Sequence, residues 1–287
     1  MSSLAPRVIV MGDFDDLRSP QIRFLEEASK LGNLTVLLGS DEAIHQRAGR
    51  PPKFPATERS YFLQALRYVD RVRVIPASVS HPILESEFCR LSNALQQAGA
   101  RPDLWAVTDP QHAASTAAFC QALSLGYRVI GADQCRGFPE TAPAPAATPP
   151  GRKKVVVTGC YDWFHSGHVR FCEEVSAYGD LYVIVGHDEN IRLLKGEGHP
   201  LLPQAQRRYV VGAIRHVTQA LVSTGMGWLD ADPEIQRLKP DIYAVNEDGD
   251  KGGKREYCAQ HGIQYLVLQR TPAPGLPRRT STDLRGF

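Results

Sequence analysis

The sequence predicts two doubly wound α/β domains in tandem, and three observations carry that prediction. The chain repeats itself: a shift of 147 residues lays Gly12 on Gly159, Asp15 on Asp162, Arg23-Phe24 on Arg170-Phe171, Glu26-Glu27 on Glu173-Glu174, Gly39 on Gly186 and Asp41-Glu42 on Asp188-Glu189. Within each copy, short apolar β-rich runs alternate with amphipathic stretches. This is the pattern of a parallel sheet covered by helices on both faces, with ligands at the carboxyl ends of its strands. Between the copies, TAPAPAATPP from Thr141 to Pro150 reads as an extended, semi-rigid linker. The expected division is a domain over residues 1–140, a linker over 141–153 and a second domain over 154–287.

Taken in order, the second copy opens with the buried strand VVVTG, whose counterpart is VIVMG. A glycine turn leads into an amphipathic helix from about Gly167 to Ala177, and LYVIVG follows as the second strand. Next come a helix around Gln206–Val217, a strand near Ala220–Ser223, a short helix and the strand DIYAVN. A helix carrying Lys254 and Tyr257 and the strand QYLVLQ close the unit. The shift drifts to 148, placing Arg59 on Arg207 and Val69 on Val217, and then to 138, placing RPDLWAVTDP at Arg101 on KPDIYAVNED at Lys239. Such drifts are loop-length differences, which surface loops tolerate.

Composition narrows the class. The 287 residues are 43% apolar and 22% charged with a formal net charge of +2, the make-up of a globular protein. The small basic clusters at Gly151–Lys154, Arg207-Arg208 and Arg278-Arg279 read as solvated faces, so nucleic acid is not an expected partner. No run of about 18 apolar residues exists and the N-terminus lacks a signal-peptide pattern, so no membrane insertion is expected and a cytoplasmic location is. The six cysteines form no CxxC pair, which favours reduced thiols over zinc.

The chemistry concentrates in GCYDWFHSGH, Gly159 to His168, at a strand-to-helix junction. Gly159 lets the backbone turn, Gly167 opens the helix, and free N–H groups there favour an anion, most naturally a phosphate. His165 and His168 are three apart and share a face of the first helical turn; the plainer reading is that they cap the helix.

GCYDWFHSGH resembles the histidine signature of the HxGH nucleotidylyltransferase superfamily, whose domains are Rossmann-like. With Tyr-Asp before HSGH it is most similar to the cytidylyltransferases acting on phosphoethanolamine, phosphocholine and glycerol 3-phosphate. LLKGEGHPLLPQAQR is similar to the family's lysine loop and the arginine after it. VNEDGDKGGK resembles its acidic segment, and QRTPAPGLPRRTSTDLR its Arg-Thr and Ser-Thr-Thr signature, with Pro272 to Pro277 as extra residues. The resemblance implies catalytic roles for His165, His168, Lys195 and Arg207, the histidines at the α-phosphate, Lys195 at the acceptor phosphate and Arg207 on the triphosphate. It implies nucleotide contacts for Gly159, Cys160, Tyr161, Asp162, Gly167, Asn246, Glu247, Arg270, Thr271, Thr280, Ser281 and Thr282. Asp162, Lys195 and Trp163 are the expected acceptor contacts.

The implied reaction transfers CMP from CTP to a phosphorylated small alcohol, phosphoethanolamine first, with glycerol 3-phosphate or phosphocholine next, and releases pyrophosphate. Mg²⁺ is expected with the CTP, held by phosphate oxygens, and Asp162 either stands near it or orients a histidine. No metal site built by protein ligands alone is expected. An adenylyltransferase using ATP and a non-catalytic nucleotide-binding regulatory protein are the competing readings.

The first copy has Arg18 and Gln21 at the histidine positions, Ala48 at Lys195 and Pro20 at Gly167, while Arg59 stands at Arg207. It reads as a degenerate, non-catalytic domain. By resemblance it is the intramolecular pseudo-dimer partner of the second, with a homodimer of chains also open.

Overall fold

The structure, a computed structural model, describes residues 5–77, 102–140, 151–281 and residue 284. The chain divides into two compact units, residues 1–137 and 138–287. The second begins slightly before the expected linker because Phe138 belongs to it: its ring packs 5.6 Å from that of Tyr209, and Arg208 Nη2 donates to its carbonyl at 2.9 Å. The linker itself, 141–150, lies outside the described residues.

In the first unit, β1 (Arg7–Gly12), α1 (Ser19–Ser29), β2 (Asn33–Gly39), α2 (Asp41–Ala48), α3 (Ala56–Ala65) and β3 (Arg71–Ile75) precede β4 (Leu104–Thr108), α4 (Ala114–Ala122) and β5 (Gly126–Ile130). The second unit runs β6 (Lys154–Gly159), α5 (Ser166–Ser176), β7 (Asp180–Val185), α6 (Asp188–Lys195), α7 (Gln204–Gly212), β8 (Gln219–Val222), α8 (Asp232–Leu238), β9 (Ile242–Asn246), α9 (Lys254–Gln260) and β10 (Gln264–Leu268).

Each unit holds a five-stranded parallel sheet, in the orders β3-β2-β1-β4-β5 and β10-β9-β6-β7-β8. These are one topology, with the first strand of each copy central and the order reversing beside it. The register agrees as well: Val8 pairs with Leu104 where Val155 pairs with Ile242, the partners that shifts of 147 and 138 predict.

Central strands buried on both faces read as continuous apolar runs. Val8, Ile9 and Val10, and Val155, Val156 and Val157, are all buried. One core cluster gathers Ile9, Leu37, Trp105 and Phe119, and its counterpart gathers Val156, Ile184, Tyr243 and Tyr257.

Among the described residues no helix is long and apolar enough to cross a membrane, and the five described cysteines are free thiols.

Candidate active site

The site forms where β6 ends beside β9, the point at which strand order reverses and loops diverge to leave a crevice. Two residues past Gly159, Tyr161 takes a left-handed backbone conformation, φ 55°, which is uncommon for a side-chain-bearing residue. The turn folds the Tyr161 ring back over Gly159, where an added Cβ would stand 2.9 Å from a ring carbon. Glycine is therefore required at 159 by close approach. Burial raises the pKa of the Tyr161 hydroxyl and keeps it neutral.

The next residues start α5 with a cap made of two histidines. His165 Nδ1 accepts from the Gly167 N–H at 3.1 Å, and His168 Nδ1 accepts from the His165 N–H at 3.4 Å. This reciprocal arrangement satisfies helix-end donors that would otherwise be orphaned. It also accounts for Gly167, because an added Cβ would stand 2.9 Å from His165 Cε1. The capping and functional readings of the histidines are thus compatible: the cap sets the ring orientations.

His168 packs among aromatic rings, 5.3 Å from Tyr161, 5.2 Å from Phe164 and 4.0 Å from His165. Burial lowers its pKa well below the ordinary histidine value, and His165, Arg270 and Lys195 push the same way. The imidazole is neutral at physiological pH. With Nδ1 accepting a backbone N–H, the hydrogen-bond pattern assigns its proton to Nε2.

His168 lines a cleft together with Gly159, Cys160, Tyr161, Gly167, Asn246 and Arg270. Arg270 donates to Asp248 and, at 2.9 Å, to the carbonyl of Arg279. That carbonyl lies 3.6 Å from where a Gly167 Cβ would stand, so the segment after β10 returns to the start of α5. Thr271 lines an adjoining hollow with Gly167, Arg278 and Arg279. Thr280 leads into Ser281, whose hydroxyl donates to the carbonyl of Trp163 at 3.4 Å. The structure therefore brings the Arg-Thr and Thr-Ser segments to the histidine motif, while Thr282 lies outside the described residues. Lys195 ends α6 on the surface, near enough for His168 to sense its charge.

Five expectations change. Arg207 is 1% exposed and cannot lie on a triphosphate. Its Nε donates to Leu202 O at 2.8 Å, Nη1 to Cys160 O at 2.6 Å, and Nη2 to Gly186 O at 2.8 Å and Asp188 Oδ1 at 2.6 Å. It is a buried fastener joining the turns after β6 and β7 to α6. Asp162 orients neither His165 nor His168: it is buried, its oxygens accept the N–H groups of Leu202 at 2.9 Å and Leu201 at 2.8 Å, its Oδ2 lies 3.7 Å from His199 Nδ1, and it so pins the loop after Lys195. His165, 2% exposed with Nδ1 engaged, positions His168 and Gly167 and does not line the cleft. Glu247, exposed at the start of a 3₁₀ turn, is not among the cleft-lining groups, and Asp248 is. The Trp163 side chain is likewise not among the cleft-lining groups.

Sequence reasoning passed over Lys254. It lines the cleft at the start of α9, donates to Gly249 O at 2.9 Å, and has its pKa lowered by burial. Its signal was the Gly-Gly pair directly before it, which ends one turn and begins a helix.

A family described as cytidylyltransferase-like matches residues 156–273. The chain is 38% identical over 120 residues to an FAD synthase of Ferroglobus placidus, a match covering 41% of this chain and 75% of that one. It is 31% identical over 135 residues to an FAD synthase of Methanocella paludicola, covering 46% and 93% of the two chains. With the bifunctional protein HldE of Shewanella piezotolerans it shares 34% identity over 123 residues, 41% of this chain and 25% of that protein.

Proposed function

The chain belongs to the cytidylyltransferase-like family of nucleotidyltransferases, and from that premise we propose that its second unit transfers an adenylyl group from ATP to a phosphomonoester and releases pyrophosphate. The observation that carries the reading is the cleft in which neutral His168, Lys254 and Arg270 converge on the Gly159 turn. ATP takes the place of the CTP expected from the Tyr-Asp motif because the relatives of substantial coverage are named FAD synthase. FAD is an adenylyl group joined directly to a flavin phosphate, the two phosphates forming its pyrophosphate bridge.

In the proposed step an acceptor phosphate oxygen attacks the α-phosphorus in line. The new P–O bond forms as the bond from the α-phosphorus to the oxygen bridging to the β-phosphate breaks, and pyrophosphate leaves. No covalent enzyme intermediate is needed, so rate comes from positioning and from donors aimed at developing charge. His168 Nε2–H is a donor of that kind, fixed by the cap and needing no prior protonation. Arg270 and Lys254 add positive charge, and exposed Lys195 adds more at the rim.

Mg²⁺ accompanies such triphosphates and offsets phosphate charge when bound. Asp162 does not fit as its ligand, since both oxygens are taken by backbone N–H groups, and among the described residues no three His, Cys, Asp or Glu side chains group as a metal site. The ion would be held by phosphate oxygens and water.

The acceptor reading also shifts from a small alcohol phosphate toward one with a broad apolar body. Leu194, Met226 and Trp228 are exposed, and Trp228 stands over the Gly252-Gly253 pair before Lys254. The test is pyrophosphate release from ATP and from CTP, each offered riboflavin 5′-phosphate, phosphoethanolamine, glycerol 3-phosphate and phosphocholine. Release with ATP and riboflavin 5′-phosphate is expected. Release with CTP alone restores the cytidylyl assignment, and nucleotide binding without release for any acceptor overturns transfer.

A further inference from the structure

The first unit has a cavity at the place where the second has its cleft. It is bounded by Gly12, Phe14, Gln21, Thr108 and Ile130, the counterparts of Gly159, Tyr161, His168, Asn246 and Leu268. At about 610 Å³ it is larger than the 150 Å³ of the second unit's cleft and within the usual range for small-molecule sites. The turn that shapes it is retained in detail: Phe14 takes φ 47° and folds its ring over Gly12, as Tyr161 does over Gly159.

What differs is charge. At the positions of neutral His168 and of the cations Lys195, Lys254 and Arg270, the first copy has Gln21, Ala48, Thr116 and Ala132. Among the described residues no Lys, Arg or His lines this cavity, whereas Asp13 (paired with Arg47), Asp15 (which accepts the Lys53 and Phe54 N–H groups) and exposed Asp109 do. The lining also has an apolar part, with Phe24 and Ile130 as its fixed, buried residues. A triphosphate would find here no counterpart of Lys254 or Arg270.

We infer that the first unit binds an unphosphorylated nucleoside in this cavity, the base against the apolar wall and the ribose toward Asp109. The chemistry of each half supports the assignment. A flat base is matched by apolar and aromatic side chains. Asp109 follows the fourth strand of a doubly wound sheet, and its Oδ2 accepts the Ala132 N–H at 3.2 Å. Its carboxylate is exposed, and an ionised carboxylate accepts hydrogen bonds from hydroxyls such as those of a ribose. The inference rests on the reading of the second unit as a nucleotide site, since the cavity is interpreted as that site without its phosphate half.

The experiment uses the full chain carrying His168→Ala and Arg270→Ala, so that the second cleft is disabled. Isothermal titration is run with adenosine, cytidine, guanosine, uridine, ATP and spermidine. One nucleoside binding at one per chain, at least about tenfold tighter than ATP, is expected. Adding Asp109→Asn, near-isosteric at an exposed position, weakens that nucleoside by about fivefold or more, and adding Ala132→Arg shifts preference toward ATP. Absence of nucleoside binding, binding of spermidine alone, ATP binding as tight as any nucleoside, or indifference to both added substitutions overturns the inference. Pyrophosphate release by the unaltered chain tests the second unit separately, so either reading can fail while the other stands.

Discussion

The two units separate the residues that make this fold from those that use it. Arg59 in the first donates to Phe54 O, Asp13 O, Gly39 O and Asp41 Oδ1; Arg207 in the second donates to Leu202 O, Cys160 O, Gly186 O and Asp188 Oδ1. These are the same four acceptors carried across the repeat. Asp15 accepts the N–H groups of Lys53 and Phe54 as Asp162 accepts those of Leu201 and Leu202. Asp103 holds the Arg7 N–H as Asp241 holds that of Lys154. These kept positions each make the same structural bond in both copies, whereas His168, Lys195, Lys254 and Arg270 around the second cleft have no equivalents in the first. A motif residue that survives in a copy without the chemistry is thereby marked as framework.

The largest expected effect breaks this comparison at the arginine. Arg207→Ala leaves Asp188 and three carbonyls without their buried partner and should cost the second unit about 3–5 kcal/mol. Arg59→Ala should do the same to the first. Chemical denaturation followed by a probe in each unit checks both. A loss of turnover with unchanged stability in Arg207→Ala would return that residue to the phosphates.

Next in size is His168. Gln21 accepts the Arg18 N–H at 3.1 Å through Oε1, so the first copy has already made the exchange that isolates the cap from the chemistry. His168→Gln should preserve the cap and the melting temperature, while lowering kcat by about a hundredfold or more through loss of the Nε2–H donor. His168→Ala removes both. Equal kcat for His168→Gln and the parent chain would reduce the histidine to a helix cap.

A smaller effect is expected at the glycine. Gly167→Ala forces the His165 ring aside, since the methyl would stand 2.9 Å from Cε1, and should disturb His168 through the shared cap at a cost of about 1–3 kcal/mol. Pro20→Ala at the matching position should be nearly neutral, because Arg18 there has no ring over the helix start. Kinetics and melting curves for the two variants separate a local clash from a general requirement at this helix position.

The fold was legible in the sequence because duplication converts weak local signals into paired ones. Register shifts of 147, 148 and 138 matched the elements of one copy to those of the other, while the strand order within each sheet came from the structure. Element ends were less legible: the helix expected over Gln206–Val217 is Gln204–Gly212, since Pro203 starts it and the chain turns at Ala213 toward β8. The strand expected at Ala220–Ser223 begins at Gln219 for the same reason. Site composition was legible as motifs, and direction was not. Nothing in LLPQAQR says that its arginine points inward, and the 3₁₀ turn after Asn246 decides that Asp248 and not Glu247 meets the cleft. The clue that was available lay in the other copy, where Arg59 persists without Lys195 or the histidines.

The smallest effect concerns pH and sharpens the contrast between His168 and Gln21. Burial, reinforced by His165, Arg270 and Lys195, holds the folded His168 pKa below its unfolded value near 6.5. The unfolded chain therefore binds more protons than the folded one between those two values, and stability rises with pH through that interval. Stability from this group is fully present above about pH 6.5 and declines as pH falls below it, by about 1.4 kcal/mol for each unit that the folded pKa lies lower. His216, lowered by its own burial, adds a slope of the same sign, so the parent curve alone does not isolate His168. The difference between the parent and His168→Gln, measured by denaturation from pH 7.5 to 5.0 with a probe in the second unit, removes the His216 contribution. The parent's stability minus that of His168→Gln, near zero at pH 7.5, should become steadily more negative as the pH is lowered. A constant difference would mean that His168 titrates as it does in the unfolded chain, and the neutral donor assigned to the cleft would go with it.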